Sequence, residues 1–390
     1  MLGRLPLPDP PRLFLPAQIL FLLGGLFAGV LNVHQLFFLT AMAPCLYNLS
    51  LIAAAVFLGP TWGVSGMAVG VLGGAWLGQF ALLVPPLRRL GADFRFSLDR
   101  RDPGFREILR QIPPIAVGIC LAYLAFLITS SFATSCGPRA ASAYNYAYRL
   151  FWLPLGLFGT GFAISFFPAM SSDAAAGHLD DLRRKLHTGI KGTLFFCLPS
   201  AIFLAAWTVP VISLLLEHGN FTAFDSRLTA RALLFFCFAI PLVGVQQLLA
   251  RACYALGQAR MMVLLSLPGL ALCLLLAPAL QAWGVAGVAL SYTLGMAANT
   301  LLLALGLGRK LPGMGKAFWL ALALRFLPGG LLALGLALGL RLLPWPRYFP
   351  NHHAVLAPLA AGFITAIGYL ALAWWQQAEE AAWLKRKLGI

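Results

Sequence analysis

The sequence predicts an all-α, polytopic membrane protein with about eleven transmembrane helices. Three observations carry this reading. Charged residues make up 10% of the chain and hydrophobic ones 60%, whereas soluble domains carry about 25% charge. Mean hydropathy is +0.84 over the whole chain. The apolar residues fall in runs of about 20, the length at which a helix crosses a bilayer. In lipid the backbone has to satisfy its own hydrogen bonds, so these runs are helices.

Taken in order, the spans are expected at roughly 13–31, 38–58, 62–84, 108–132, 142–170, 189–216, 228–254, 260–280, 284–307, 317–342 and 353–377. The first follows Arg4 and Arg12. It is longer than the apolar core of a signal peptide and lacks a cleavage site, so it is read as a span. Gly59 and Pro60 separate the second from the third, and a basic stretch separates the third from the fourth. The expected organisation is 1–84 as three helices of an N-terminal lobe and 85–107 as a basic inter-lobe loop. A six-helix lobe over 108–308 follows, then two further helices and a basic tail over 309–390.

The formal net charge is +16. On a membrane chain the positive-inside rule accounts for this excess, and nucleic acid is not expected as a partner. One set of alternating loops holds most of the cations: Arg88 to Arg110, Arg183 to Lys191, Arg251 and Arg260, Arg309 to Lys316, and Lys385 to Lys387. The opposite loops hold Arg139, Arg227, Arg231, Arg341 and Arg347. The first set, with the C-terminus, is therefore expected in the cytoplasm and the 218–227 loop outside. An odd number of spans then places the N-terminus outside.

A repeat runs through the chain. "WGVSGMAVG" starts at Trp62 and "WGVAGVALS" at Trp283, and Pro44 pairs with Pro268 upstream. Spans one to three thus recur as spans seven to nine, as in transporters built from repeated halves. Spans four to six have no counterpart ahead of Pro16. Three helices of the first half are expected to be missing from this chain.

Few residues offer chemistry. The seven cysteines are scattered without a C-x-x-C pair, so no disulfide framework and no metal or other cofactor is expected. "GMGKAF" at 313–318 has neither the glycine spacing nor the hydroxyl of a phosphate-binding loop. Acids fall in loops or at span ends, so neither catalysis nor a catalytic residue is expected. In the fifth span, Asn145, Arg149, Trp152 and Gly156 follow i, i+4, i+7, i+11 and share one helical face. Pro154 should break the ladder at the Leu150 carbonyl, with Gly156 and Gly159 forming a hinge beyond it. Arg149 either binds an anion such as a phosphate or pyrophosphate, or reaches up to the headgroups. Gln79 and Asn299 stand at matching places in the repeat and are expected to make interhelical hydrogen bonds or line a cavity.

At these residues a family resemblance becomes visible. "YNYAYRLFWLPLGLFGTGFAISFFPAMS" resembles the signature helix of the MurJ (MviN) lipid II flippases, through Tyr146, Ala147, Arg149, Leu150, Pro154, Gly156, Gly159 and Pro168. Asn32, Pro44, Asn48, Gln79, Pro86 and Arg89 match further motifs in family order. The resemblance implies the two-lobe architecture of the MOP/MATE superfamily with two extra C-terminal helices. It implies fourteen helices in all, of which the first three are not in this sequence. It also implies a bacterial inner-membrane location and a lipid II flippase acting by alternating access. The implied site has Arg149 on the pyrophosphate, with Asn145, Tyr148, Trp152 and Gln79 around it. Spans ten and eleven would hold the lipid tail, and membrane potential or a monovalent cation would drive the cycle. Membrane lipids and cell-wall synthesis proteins are the other implied partners. The family often has Asp where this chain has Tyr148 and, in the first helix of the second lobe, where it has Thr129. Other polyprenyl-pyrophosphate flippases, MATE-type antiporters and a non-transporting membrane scaffold remain alternatives.

Overall fold

The structure, a computed structural model, describes residues 10–34, 36–91, 103–311, 313–343 and 353–375. No strand occurs among them. The chain divides into two compact units with the boundary between Arg100 and Arg101, inside the segment expected to join the lobes.

The first unit contains α1 (Pro10–Val33), α2 (Phe37–Phe57), α3 (Gly59–Ala75) and α4 (Val84–Arg89). A π turn over Trp76–Ala81 links α3 to α4. The third span therefore runs on to Arg89, past the expected end at residue 84. Pro85 and Pro86 sit in the first turn of α4, where a missing N–H costs nothing. Small residues let the three helices approach. A Cβ on Gly74 would lie 2.9 Å from the Tyr47 carbonyl oxygen, and one on Gly66 would lie 2.8 Å from that of Leu58. The Ser50 hydroxyl donates to the Gly70 carbonyl at 3.1 Å across α2 and α3.

The second unit contains α5 (Pro103–Thr134), α6 (Ala140–Pro154), α7 (Gly161–Ala175), α8 (Leu179–Ala206), α9 (Thr208–Leu216), α10 (Ala223–Ala255), α11 (Ala259–Leu280), α12 (Val285–Gly308), α13 (Lys316–Arg341) and α14 (His353–Trp375). α10 is the axis of this unit, packed by α6, α7, α8, α9 and α12. One apolar cluster gathers Tyr144, Phe151, Phe236 and Tyr292 around α6 and the first halves of α10 and α12. A second gathers Met170, Leu186, Leu248, Leu303 and Phe326 around the other end. Among the described residues, nine helical segments are long and apolar enough to cross a membrane. The shorter apolar stretches Tyr123–Thr134 and Ala357–Tyr369 lie within α5 and α14. The repeat recurs as backbone geometry. Gly63 and Gly284, each directly after its tryptophan, both take positive φ, the first at a kink inside α3 and the second directly before α12.

Candidate functional site

The fifth expected span is not one α-helix. α6 passes into a π turn over Leu155–Thr160 and resumes as α7. Pro154 keeps helical angles, and the departure falls just after it. Proline donates nothing to the Leu150 carbonyl, and the register recovers through wider i→i+5 bonds. The two glycines expected to form the hinge differ in their surroundings. A Cβ on Gly159 would lie 3.2 Å from the Cα of Gly244 on α10, while one on Gly156 would meet nothing within 4 Å. Close helix packing therefore belongs to Gly159 alone. The Thr160 hydroxyl donates to the Gln247 Oε1 at 2.9 Å, tying the π turn to α10.

α6 is two-faced. Tyr144, Ala147, Phe151 and Leu155 are fully buried. Arg149, Trp152 and Gly156 are exposed and Asn145 half-buried, so the expected common face exists. Ala141, Ser142, Asn145, Tyr146 and Arg149 line an open concavity of about 250 Å³ along the first turns. The Arg149 guanidinium carbon lies 6.0 Å from the centre of the Tyr146 ring. No ion-pair partner of Arg149 occurs among the described residues. The Asn145 amide donates to the carbonyl of Ala141 at 2.8 Å and approaches the Ser130 hydroxyl at 3.5 Å. Part of its donor capacity is thus used in holding α6 to α5.

Of the expected site residues in this unit, Tyr148 does not line the concavity. Tyr148 turns into the core, stacked on Phe126 at 4.0 Å and edge-on to Phe236 and Tyr292 at 5.8 Å. This position carries a large ring because it faces α5, α10 and α12 rather than the concavity. Gln79 belongs to the first unit, in the π turn after α3, where its side chain covers Gly24 of α1. Trp152 stays on the outward face and touches Tyr148 edge-on at 6.2 Å.

The structure adds contacts that spacing did not reveal. Arg139 sits in the left-handed region at φ 65°. Its guanidinium donates to Asp225 at 2.9 Å, across 86 residues. Asp225 also accepts from the backbone N–H and hydroxyl of Thr222, both at 2.9 Å, capping α10. The starts of α6 and α10 are thereby fixed together. The Tyr144 hydroxyl donates to Thr129 at 2.6 Å, and Thr129 donates to the Ala125 carbonyl at 2.7 Å. The Thr129 hydroxyl is thus spent on internal bonds. Tyr146 beneath Arg149 was legible as an i, i+3 pair, whereas no sequence signal pointed to the Arg139–Asp225 bridge.

The sequence profile described as "Lipid II flippase MurJ" matches residues 11–357. A protein from Burkholderia cenocepacia named "Lipid II flippase MurJ" is 30% identical over 311 residues, covering 77% of this chain and 59% of that one. A "Probable lipid II flippase MurJ" from Bdellovibrio bacteriovorus is 29% identical over 309 residues, covering 78% and 58%. The chain thus spans less than two thirds of the length of these relatives. A solved structure, "Lipid II flippase MurJ, inward closed conformation", superposes with a TM-score of 0.71 at 19% identity. The match covers 93% of this chain and 73% of that one.

Proposed function

The chain belongs to the lipid II flippase MurJ family, and on that premise we propose that it binds lipid II and takes part in moving it across the bacterial inner membrane by alternating access. Arg149 carries this reading. A fixed cation at the centre of a spanning helix costs about 2.5–3.5 kcal/mol on insertion scales, and Arg149, in the first third of the segment Ala140–Ala175, bears part of that cost. No carboxylate among the described residues pairs with it. Among the described side chains, Asp173, Asp180, Asp181, Glu217 and Asp225 all sit at helix ends or in loops. A guanidinium that faces an open concavity without a carboxylate suits a ligand that brings its own negative charge. The pyrophosphate of a polyprenyl-linked precursor does so, and Arg binds phosphate oxygens in bidentate fashion. Asn145 and Trp152 flank it on the same face. The membrane potential, worth about 2.3 kcal/mol per charge per 100 mV, is the proposed drive. The basic loops support a cytoplasmic C-terminus.

Complementation tests this reading. Cells depleted of their own lipid II flippase receive either the chain or a chimera in which residues 103–343 replace the aligned part of the Burkholderia relative. Growth restored by the chimera and lost in Arg149→Ala and Arg149→Lys, with unchanged membrane insertion, is the expected result. Growth of the Arg149→Ala chimera equal to the parent would sink the assignment of this residue.

A further inference from the structure

The loop between α9 and α10 reaches the Arg149 face through two aromatic rings. Phe221 lies in this loop, and its ring meets the Tyr146 ring edge-on with centres 5.4 Å apart. Tyr146 in turn lies 6.0 Å from the Arg149 guanidinium carbon. Loop, ring, ring and cation form one continuous stack. Arg149 is long, and three of its neighbours on α6 are small or short, Ala141, Ser142 and Asn145. Tyr146 is the one large side chain lining the concavity with it.

The loop that presents Phe221 is built to hold its place. Gly219 takes φ 59°, and the Phe221 N–H closes a turn on the His218 carbonyl at 3.1 Å. Ahead of the turn, Glu217 accepts from Ser213 at 2.6 Å and from Ser226 at 2.7 Å. Behind it, Thr222 is held by Asp225, which is itself bridged to Arg139 at the head of α6. Both sides of Phe221 are therefore tied, one of them to the helix that carries Tyr146 and Arg149. An edge-on aromatic pair has a preferred geometry, and a cation prefers the ring face. Fixing Phe221 restricts the Tyr146 ring, and the ring restricts where the guanidinium can point.

We propose that Phe221 and Tyr146 are positioning residues for Arg149, through which the α9–α10 loop aims the guanidinium at a lipid-borne pyrophosphate. This rests on the reading of Arg149 as the anion-binding group. The ligand class follows from the cation, and the positioning role follows from the stack.

The test measures binding by the full chain in lipid nanodiscs, using native mass spectrometry titrations with undecaprenyl pyrophosphate and with undecaprenol. The first probe carries the charge and the second only the tail. The unaltered chain is expected to prefer the pyrophosphate, and Arg149→Ala to lose that preference. Phe221→Ala and Tyr146→Leu are expected to weaken pyrophosphate binding about 3- to 10-fold, the scale of one aromatic contact, and leave undecaprenol binding unchanged. Phe221→Tyr, which keeps the ring edge, restores the preference. If Arg149→Ala keeps the preference, or the unaltered chain shows none, the anion-site reading falls and the positioning role with it. If Arg149→Ala loses it while Phe221→Ala matches the unaltered chain, the positioning role alone falls. Equal weakening for both probes in Phe221→Ala overturns the proposal in favour of general packing.

Discussion

Gly63 and Gly284, 221 residues apart, hold the same backbone turn. Their angles are φ 56°, ψ −133° and φ 67°, ψ −151°, and each follows a tryptophan, Gly63 at a kink inside α3 and Gly284 directly before α12. This corner of the map is open almost only to glycine, and other residues there cost about 1–3 kcal/mol. A Cβ at either position would meet nothing within 4 Å, so the whole cost of a side chain is backbone strain. Gly63→Ala and Gly284→Ala are each expected to lose about 1–3 kcal/mol, read as a lower melting temperature in detergent. Gly25→Ala, in a helix interior with equally empty surroundings, should be neutral or gain up to about 1 kcal/mol.

The turn also marks what the sequence could tell. The Trp-Gly-Val repeat named both positions, because a local backbone demand leaves a local residue signature. The spans were legible for the same reason, since lipid imposes its requirement on every run of residues separately. The exposed face of Arg149 followed from helical spacing. The inward turn of Tyr148 did not, because facing Phe126, Phe236 and Tyr292 depends on three other helices. The π turns were hidden too. Gln79 stands 17 residues after Trp62, and Asn299 stands 16 after Trp283. The extra residue coincides with the π turn at Trp76–Ala81, whose i→i+5 bonding absorbs it.

The Arg139–Asp225 bridge should be asymmetric in energy. The Arg139 side chain is 56% exposed and that of Asp225 is 9% exposed. Truncating the exposed partner removes a pair worth about 0–1 kcal/mol. Asp225→Ala also removes the helix cap and leaves the Thr222 N–H without its acceptor, a loss of about 2 kcal/mol. Arg139→Gly should stand about 0.5–1 kcal/mol above Arg139→Ala, because only glycine takes the left-handed φ without strain. Melting of the three variants side by side gives the order; equal losses from Arg139→Ala and Asp225→Ala would contradict it.

Glu217 makes stability depend on acid. Hydrogen bonds from Ser213 and then Ser226 hold its carboxyl below the usual carboxylate range. A depressed folded value means the stabilisation is complete above the unfolded value, about 4.3, and drains away as pH falls through the folded one. Melting temperature followed from pH 7 to pH 3 should drop less steeply at its acid end in Glu217→Gln. Ser213→Ala and Ser226→Ala, which raise the folded value toward the unfolded one, should each flatten the drop part of the way toward Glu217→Gln. An acid limb unchanged in all three variants would show that this carboxylate does not contribute.

The glycines of the π turn separate packing from bending. On Gly159 an added methyl would stand 3.2 Å from the Cα of Gly244 and from Leu155 Cδ2, and on Gly244 it would stand 2.8 Å from Thr193 Cγ2. The Gly244 backbone beside Gly159 and the buried, β-branched Thr193 side chain beside Gly244 yield little in a packed interior, so Gly159→Ala and Gly244→Ala are expected to cost about 1–3 kcal/mol by overpacking. Gly156, one turn along on the exposed side, has no neighbour within 4 Å of an added Cβ. Gly156→Ala should therefore leave melting unchanged or raise it by up to about 1 kcal/mol in stability. A Gly156→Ala chimera that melts normally yet fails to restore growth of flippase-depleted cells would place the hinge at Gly156. Full growth would leave Gly156 dispensable and confine the requirement for glycine to the contact with α10.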